Sequence, residues 1–138
     1  MKTDLVTTKW LGEMAFEATN QGGLIKMDAD AEVGGNNDGL RPKSMMLASL
    51  AGCSAMDIAS LVTKMRVALD TFTIDVEGEL TEEHPKYYEK MHVIYEFQGE
   101  NLPMEKLEKA VKMSEETYCG VEALYKRAIE ITSEIRIK

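Results

Sequence analysis

Residues 44–67 read SMMLASLAGCSAMDIASLVTKMRV, with no proline and one glycine, Gly52. Leu47, Leu50, Ala51, Ser54, Ile58, Leu61, Val62 and Met65 recur at helical spacing. Charge enters only at Asp57, Lys64 and Arg66. A helix apolar over more than one face is expected to be a buried central helix. Pro42 is expected at its first position, where a missing N–H costs nothing. Gly52 costs such a helix up to ~1 kcal/mol relative to alanine. A glycine there points to close approach by another backbone or a ligand.

Working outward, the first 30 residues read as short strands. EMAFEA (13–18) alternates Met14, Phe16 and Ala18 with Glu13, Ala15 and Glu17, and LIKMDA (24–29) follows the QGG turn as its hairpin partner. EVGGNNDGL (32–40) has no apolar period and reads as a loop. Beyond the helix, FTIDVEGEL (72–80), MHVIYEF (91–97) and IEITSEIRI (129–137) each alternate one apolar and one mostly polar face. An antiparallel sheet covered on one side is the expectation. LPMEKLEKAVKMSEETY (102–118) carries Met104, Leu107, Val111 and Ser114 on one stripe, an amphipathic surface helix. CGVEALYKRA (119–128) reads as a short second helix or turn. No linker or repeat interrupts the chain. Residues 1–138 are expected to form a single α+β domain.

Composition narrows the function classes. The 138 residues carry a net charge of −8, with 44% hydrophobic and 29% charged residues. An acidic chain is a poor partner for nucleic acid or an anionic membrane. No apolar run is expected to reach the ~20 residues of a membrane span. The start, MKTDLVTTKWLGEMAF, lacks the apolar region of a secretory signal, so a cytoplasmic location is expected. Disulfides there are mostly transient and functional. Ten methionines read as core filler or as an adaptable apolar pocket. With two cysteines 66 positions apart and only His84 and His92, no metal and no cofactor is expected.

Cys53 shares a helical face with Met46, Leu50 and Asp57, and Met56 lies beside it. Apolar burial and a nearby carboxylate both raise a thiol pKa, so Cys53 needs a cation to become reactive. Arg41 and Lys43, at the mouth of the helix, are its nearest basic residues in sequence. Cys119 sits where the amphipathic helix gives out, before Gly120. Each cysteine reads equally as small buried filler or as a reactive group. Asp57, costly in so apolar a run, needs a hydrogen bond or ion pair inside the fold, or else helps position a basic residue near Cys53. Glu82, Glu83, Glu105, Glu108, Glu115 and Glu116 read as solvated faces.

RPKSMMLASLAGCSAMDIASLVTKMR (41–66), followed by SEETYCGVEALYKRAIEITSEIRI (114–137), resembles the OsmC/Ohr family. The proline at the helix start, AGC in mid-helix, MD after it and YC-x-V downstream occur together there, and the order of elements matches along nearly the whole chain. The resemblance implies an OsmC-like two-layer fold, with antiparallel sheets around a long central helix in an intertwined homodimer. It implies thiol-dependent peroxidase chemistry on organic hydroperoxides at the dimer interface. Cys53 matches the peroxidatic cysteine and Cys119 the resolving one. A dithiol reductant, typically a dihydrolipoyl group, would complete the cycle. The active branch also uses an arginine from the N-terminal strand region and a glutamate ten residues before the peroxidatic cysteine. Here no arginine precedes Arg41, and Lys43 occupies the glutamate position. That departure points to a less characterised OsmC-like branch, in which Arg41, Lys43 or Asp57 would have to serve in activation. A non-catalytic protein binding a small apolar ligand on the same scaffold is the alternative.

Overall fold

The structure is a computed structural model describing residues 1–138. It contains two three-stranded sheets and one long helix, an α+β arrangement as the sequence led us to expect. Contacts divide the chain into two compact units, Met1–Met46 and Leu47–Lys138.

The first unit is a meander of β1 (Thr7–Gly12), β2 (Ala15–Asn20) and β3 (Gly23–Met27), antiparallel in the order β1-β2-β3. The expected hairpin is β2–β3, with Phe16 opposite Met27 and Ala18 opposite Ile25. After β3 the chain enters the expected loop, with one short 3-10 turn at Ala31–Val33. Asp28 organises it: its carboxylate accepts the backbone N–H groups of Ala29 at 2.7 Å and of Asn36 and Asp38 at 3.2 Å. Those amides, Ala29 first, hold its pKa below the usual carboxylate value. Gly35 is required here, since a Cβ would lie 2.1 Å from the Ala29 carbonyl oxygen.

The second unit is built on α1 (Met45–Lys64), whose first two residues belong to the preceding unit. Pro42 lies in a turn ahead of the helix, not at its first position. The helix buries Leu50, Ser54, Ile58 and Val62, an i, i+4 stripe. The expectation of a helix buried on most sides is thus met along one stripe only, and Met56 is 77% exposed. By length and mean hydropathy (20 residues, 1.6) α1 does meet the threshold for a membrane span, contrary to the sequence expectation. Core helices pass the same test, and this one places Leu50, Ile58 and Val62 in the core, with 22% of the segment buried. Nothing in the chain lies within 4 Å of a Cβ placed on Gly52, so the close approach expected there is not made within a single chain.

The second sheet has the order β4-β5-β6, from β4 (Thr71–Leu80), β5 (Tyr88–Gln98) and β6 (Glu130–Ile137). β4 and β5 pair antiparallel, but β6 pairs parallel to β5, so this sheet is mixed. The reason is the connection. Residues 99–129 carry α2 (Met104–Met113), a π-helical turn (Ser114–Tyr118) and α3 (Gly120–Tyr125). A crossover of that length returns the chain to the same end of the sheet, as a parallel strand needs. Met91, Val93, Tyr95 and Phe97 of β5 form one core with Leu50, Ile58 and Val62 of α1 and Leu107, Ala110 and Val111 of α2. Phe72 stacks on Phe97 with ring centroids 4.6 Å apart. The expected α2 stripe holds at Leu107, Val111 and Ser114, all buried, while Met104 is partly exposed.

Candidate active site at the cysteine pair

The site lies within the second unit, where α1 meets the junction of α2 and α3. On α1, Cys53 and Asp57 stand one turn apart, beside the buried stripe of Ser54 and Ile58. At the junction the π-helical turn replaces a normal one, and the N–H of Cys119 donates to the Ser114 carbonyl five residues back, at 2.8 Å. Cys119 then leaves helical geometry (φ −77°, ψ 101°) and caps α3. Ser114, on the α2 stripe, and Cys119, after the turn, both contact α1. The Ser114 hydroxyl donates to Asp57 Oδ2 at 2.9 Å, and the Ser54 hydroxyl donates to Cys119 Sγ at 3.6 Å.

The consequence is that Cys53 Sγ, Cys119 Sγ and an Asp57 carboxylate oxygen lie within 4.8 Å of one another. Both thiols are free. Cys53 is half-buried, whereas Cys119 is only 3% exposed. Burial pushes the Cys119 thiol pKa up, opposed by the Glu122 N–H that donates to its sulfur at 3.4 Å; the Cys53 side chain adds to the rise. These three groups are the ones able to hold a cation. His84 and His92 are not among them: His84 is exposed beside Pro85, and His92 Nε2 meets Glu134 at 2.8 Å and Nδ1 meets Thr132 at 2.7 Å on the second sheet.

Asp57 therefore has the hydrogen-bonded partner that its apolar setting demanded. Arg41 is committed within the first unit. Its guanidinium donates to the Gly39 carbonyl at 2.9 Å, to Asn37 and to the Asp30 carboxylate. Lys43 is exposed.

Two carboxylates escaped the sequence reading. Glu115, read as part of a solvated face, is half-buried and accepts the Tyr95 hydroxyl at 3.2 Å. Glu122 is 3% exposed, with Oε1 lacking any hydrogen-bond partner. Burial first, and the nearby Glu115 charge second, push the Glu122 pKa up to about 7, with Lys126 opposing. Burial and the same two carboxylates raise Tyr95 as well. The buried position of Ser114 was legible in its place on the apolar stripe. That of Glu122 was not, because α3 is too short to show a period.

A cleft of about 270 Å³ reaches Asp57 from outside, lined also by Met56, Ser60, Leu61, Lys64 and Tyr118. It joins apolar walls to one cation and one carboxylate. The apolar groove of the first unit (about 330 Å³, with Leu24, Ile25 and Met45 in its walls) holds none of the groups described above.

The chain as a whole has counterparts. Protein YhfA of Escherichia coli strain K12 is 26% identical over 130 residues, 94% of each chain. A crystal structure of a hypothetical protein from Aquifex aeolicus VF5 superposes with a TM-score of 0.86 at 29% identity, covering 100% of this chain and 98% of that one. An organic hydroperoxide resistance protein OsmC from Legionella pneumophila shares the fold, with a TM-score of 0.67 at 16% identity and 99% and 98% coverage. The OsmC-like protein family itself matches residues 35–134, a span that contains both cysteines, and the chain belongs to that family.

Proposed function

We propose that this chain is a thiol-dependent peroxidase acting on organic hydroperoxides, with Cys53 as the peroxidatic and Cys119 as the resolving cysteine. The observation that carries the reading is the approach of the two free thiols, 66 positions apart in sequence, to within 4.8 Å. Cys53 is the more accessible, as an attacking thiolate must be. Its sulfur takes the terminal peroxide oxygen, the O–O bond breaks, and an alcohol leaves with Cys53 as a sulfenic acid. The Cys119 thiol then attacks that sulfur, releasing water and forming the disulfide. A dithiol such as a dihydrolipoyl group restores both thiols by exchange. Ser54 and the Glu122 amide, both donating to Cys119 Sγ, stabilise the thiolate needed in the second step.

The protein acts as a homodimer in this reading, in the cytoplasm. Support comes from the apolar surface that a single chain leaves uncovered, including Met56 and Tyr118 beside the site and Leu124. A partner subunit would also be the source of the missing activating cation, Arg41 or Lys43 being the candidates. Light scattering that gives a 15.4 kDa particle would sink the dimer.

The alternative is a non-catalytic protein binding a small apolar ligand. Its support is that Arg41 is held by Asp30 and Asn37, and that Lys43 stands where the active branch carries its glutamate. The deciding experiment is peroxide consumption with dihydrolipoamide, comparing cumene hydroperoxide with H₂O₂. Turnover that disappears in Cys53→Ser supports the peroxidase. Absence of turnover, with Cys53 slow to alkylate at neutral pH, rejects it in favour of ligand binding.

A further inference from the structure

We propose that the reduced cysteine pair, with Asp57, forms a redox-gated binding site for a borderline-soft divalent cation of the zinc type. The sequence offered no ligand set, because two cysteines without usable histidines fall short. The fold supplies the third ligand. Cys53 and Asp57, at i and i+4 on α1, present a thiolate and a carboxylate side by side on one helix face. Cys119 comes in from the cap of α3 and closes the set, all three ligand atoms lying within 4.8 Å of one another.

Around a tetrahedral zinc, thiolates at about 2.3 Å and a carboxylate oxygen at about 2.0 Å stand roughly 3.5–3.8 Å apart. The triad therefore needs to contract by no more than about 1.3 Å, within reach of side-chain rotation. Its supporting contacts are already those of a metal centre. Ser114 holds the Asp57 carboxylate through Oδ2, and Ser54 and the Glu122 amide both donate to Cys119 Sγ. The cleft that reaches Asp57 gives solvent access to the carboxylate side of the triad and carries a cation, Lys64, on its wall. Binding displaces one proton from each thiol and involves no change of oxidation state. A Cys53–Cys119 disulfide removes both thiolates, so oxidation abolishes the site. Metal binding in turn shields Cys53 from peroxide and alkylating agents.

The test is a Co²⁺ titration of the full-length chain, kept reduced with a phosphine and followed by absorbance, with no peroxide present. Expected are a near-ultraviolet thiolate-to-cobalt band and the visible bands of a tetrahedral ion, saturating at one per chain and bleached by Zn²⁺. Cys53→Ser and Cys119→Ser should each weaken binding at least 100-fold, and Asp57→Asn about tenfold. The disulfide form should show no band. Circular dichroism on each variant separates loss of a ligand from loss of fold, and bound Zn²⁺ should slow alkylation of Cys53 in the unmodified chain. No thiolate band with the reduced chain, a cysteine variant that binds Co²⁺ as tightly as the unmodified chain, or a band in the disulfide form overturns the proposal. The peroxidase assay is independent of this readout, so either reading can fail alone.

Discussion

Glu122 gives the sharpest quantitative expectation. Its carboxyl ionises near 4.5 in an unfolded chain and at about 7 in the folded one. At about 1.4 kcal/mol for each tenfold change in proton affinity, the difference amounts to roughly 3 kcal/mol. Slightly under ~1 kcal/mol of it is already present at pH 5, because most unfolded chains have ionised there, which leaves about 2–3 kcal/mol to develop between pH 5 and pH 8. The sign follows from proton counts. Below pH 4.5 both states hold the proton and no penalty exists. Between 4.5 and 7 the unfolded chain has released it and the folded chain has not, so stability falls as pH rises. Above 7 the folded chain carries the buried charge and the full penalty is constant. Glu122→Gln removes this titration while keeping the shape. Urea unfolding of both proteins, reduced and at one fixed concentration, is therefore run at pH 5, 6, 7 and 8. The variant should gain on the unmodified chain by about 2–3 kcal/mol between pH 5 and pH 8, whatever the offset at pH 5. That offset absorbs any cost of burying the amide, and titrations distant from Glu122 cancel in the difference. A stability difference that stays flat across the range would refute the buried, uncompensated carboxylate.

Further outcomes follow from the same geometry. Iodoacetamide should label Cys53 well before Cys119, which is 3% exposed and has its thiol pKa raised by burial; peptide mass spectrometry after timed quenching reads the order, and equal rates would contradict it. Ser114→Ala should cost about 1–3 kcal/mol in urea unfolding, since the half-buried Asp57 carboxylate loses its hydroxyl donor, and no change would show that water replaces it. Gly52→Ala should stabilise an isolated chain by up to about 1 kcal/mol, because a Cβ there meets nothing within 4 Å. If a second copy packs closely on that face, the same substitution should instead weaken dimerisation, which sedimentation equilibrium measures.

Much of the architecture could be read from short-range pattern. Side-chain period is a local property, so β2, β4, β5 and β6 announced themselves by alternation, β3 by the turn before it, and α1 and α2 by helical spacing. The alternation in β6 (Ile131, Ile135 inward) says nothing about direction, however. That β6 runs parallel to β5 depends on where a 31-residue crossover, residues 99–129, delivers the chain. Likewise the apolar character of α1 was plain, yet which faces a single chain covers was not, since burial depends on neighbours far away in sequence.

The sequence by itself determined which residues carry chemistry: two cysteines in motifs resembling one family, an acidic chain, and an aspartate that had to find a partner. Tertiary structure alone decided that these meet. Cys53 and Asp57 share a helix face by local geometry, but Cys119 lies beyond the end of α2, past a π-helical turn that carries one more residue than an ordinary turn, and its approach to α1 is a matter of packing. The same fold closed over Glu122, whose charge the sequence shows but whose burial it does not. Proximity over 66 positions is a property of the packed core, since hydrogen bonding and hydrophobic burial across elements select one relative placement from many that the local pattern would allow.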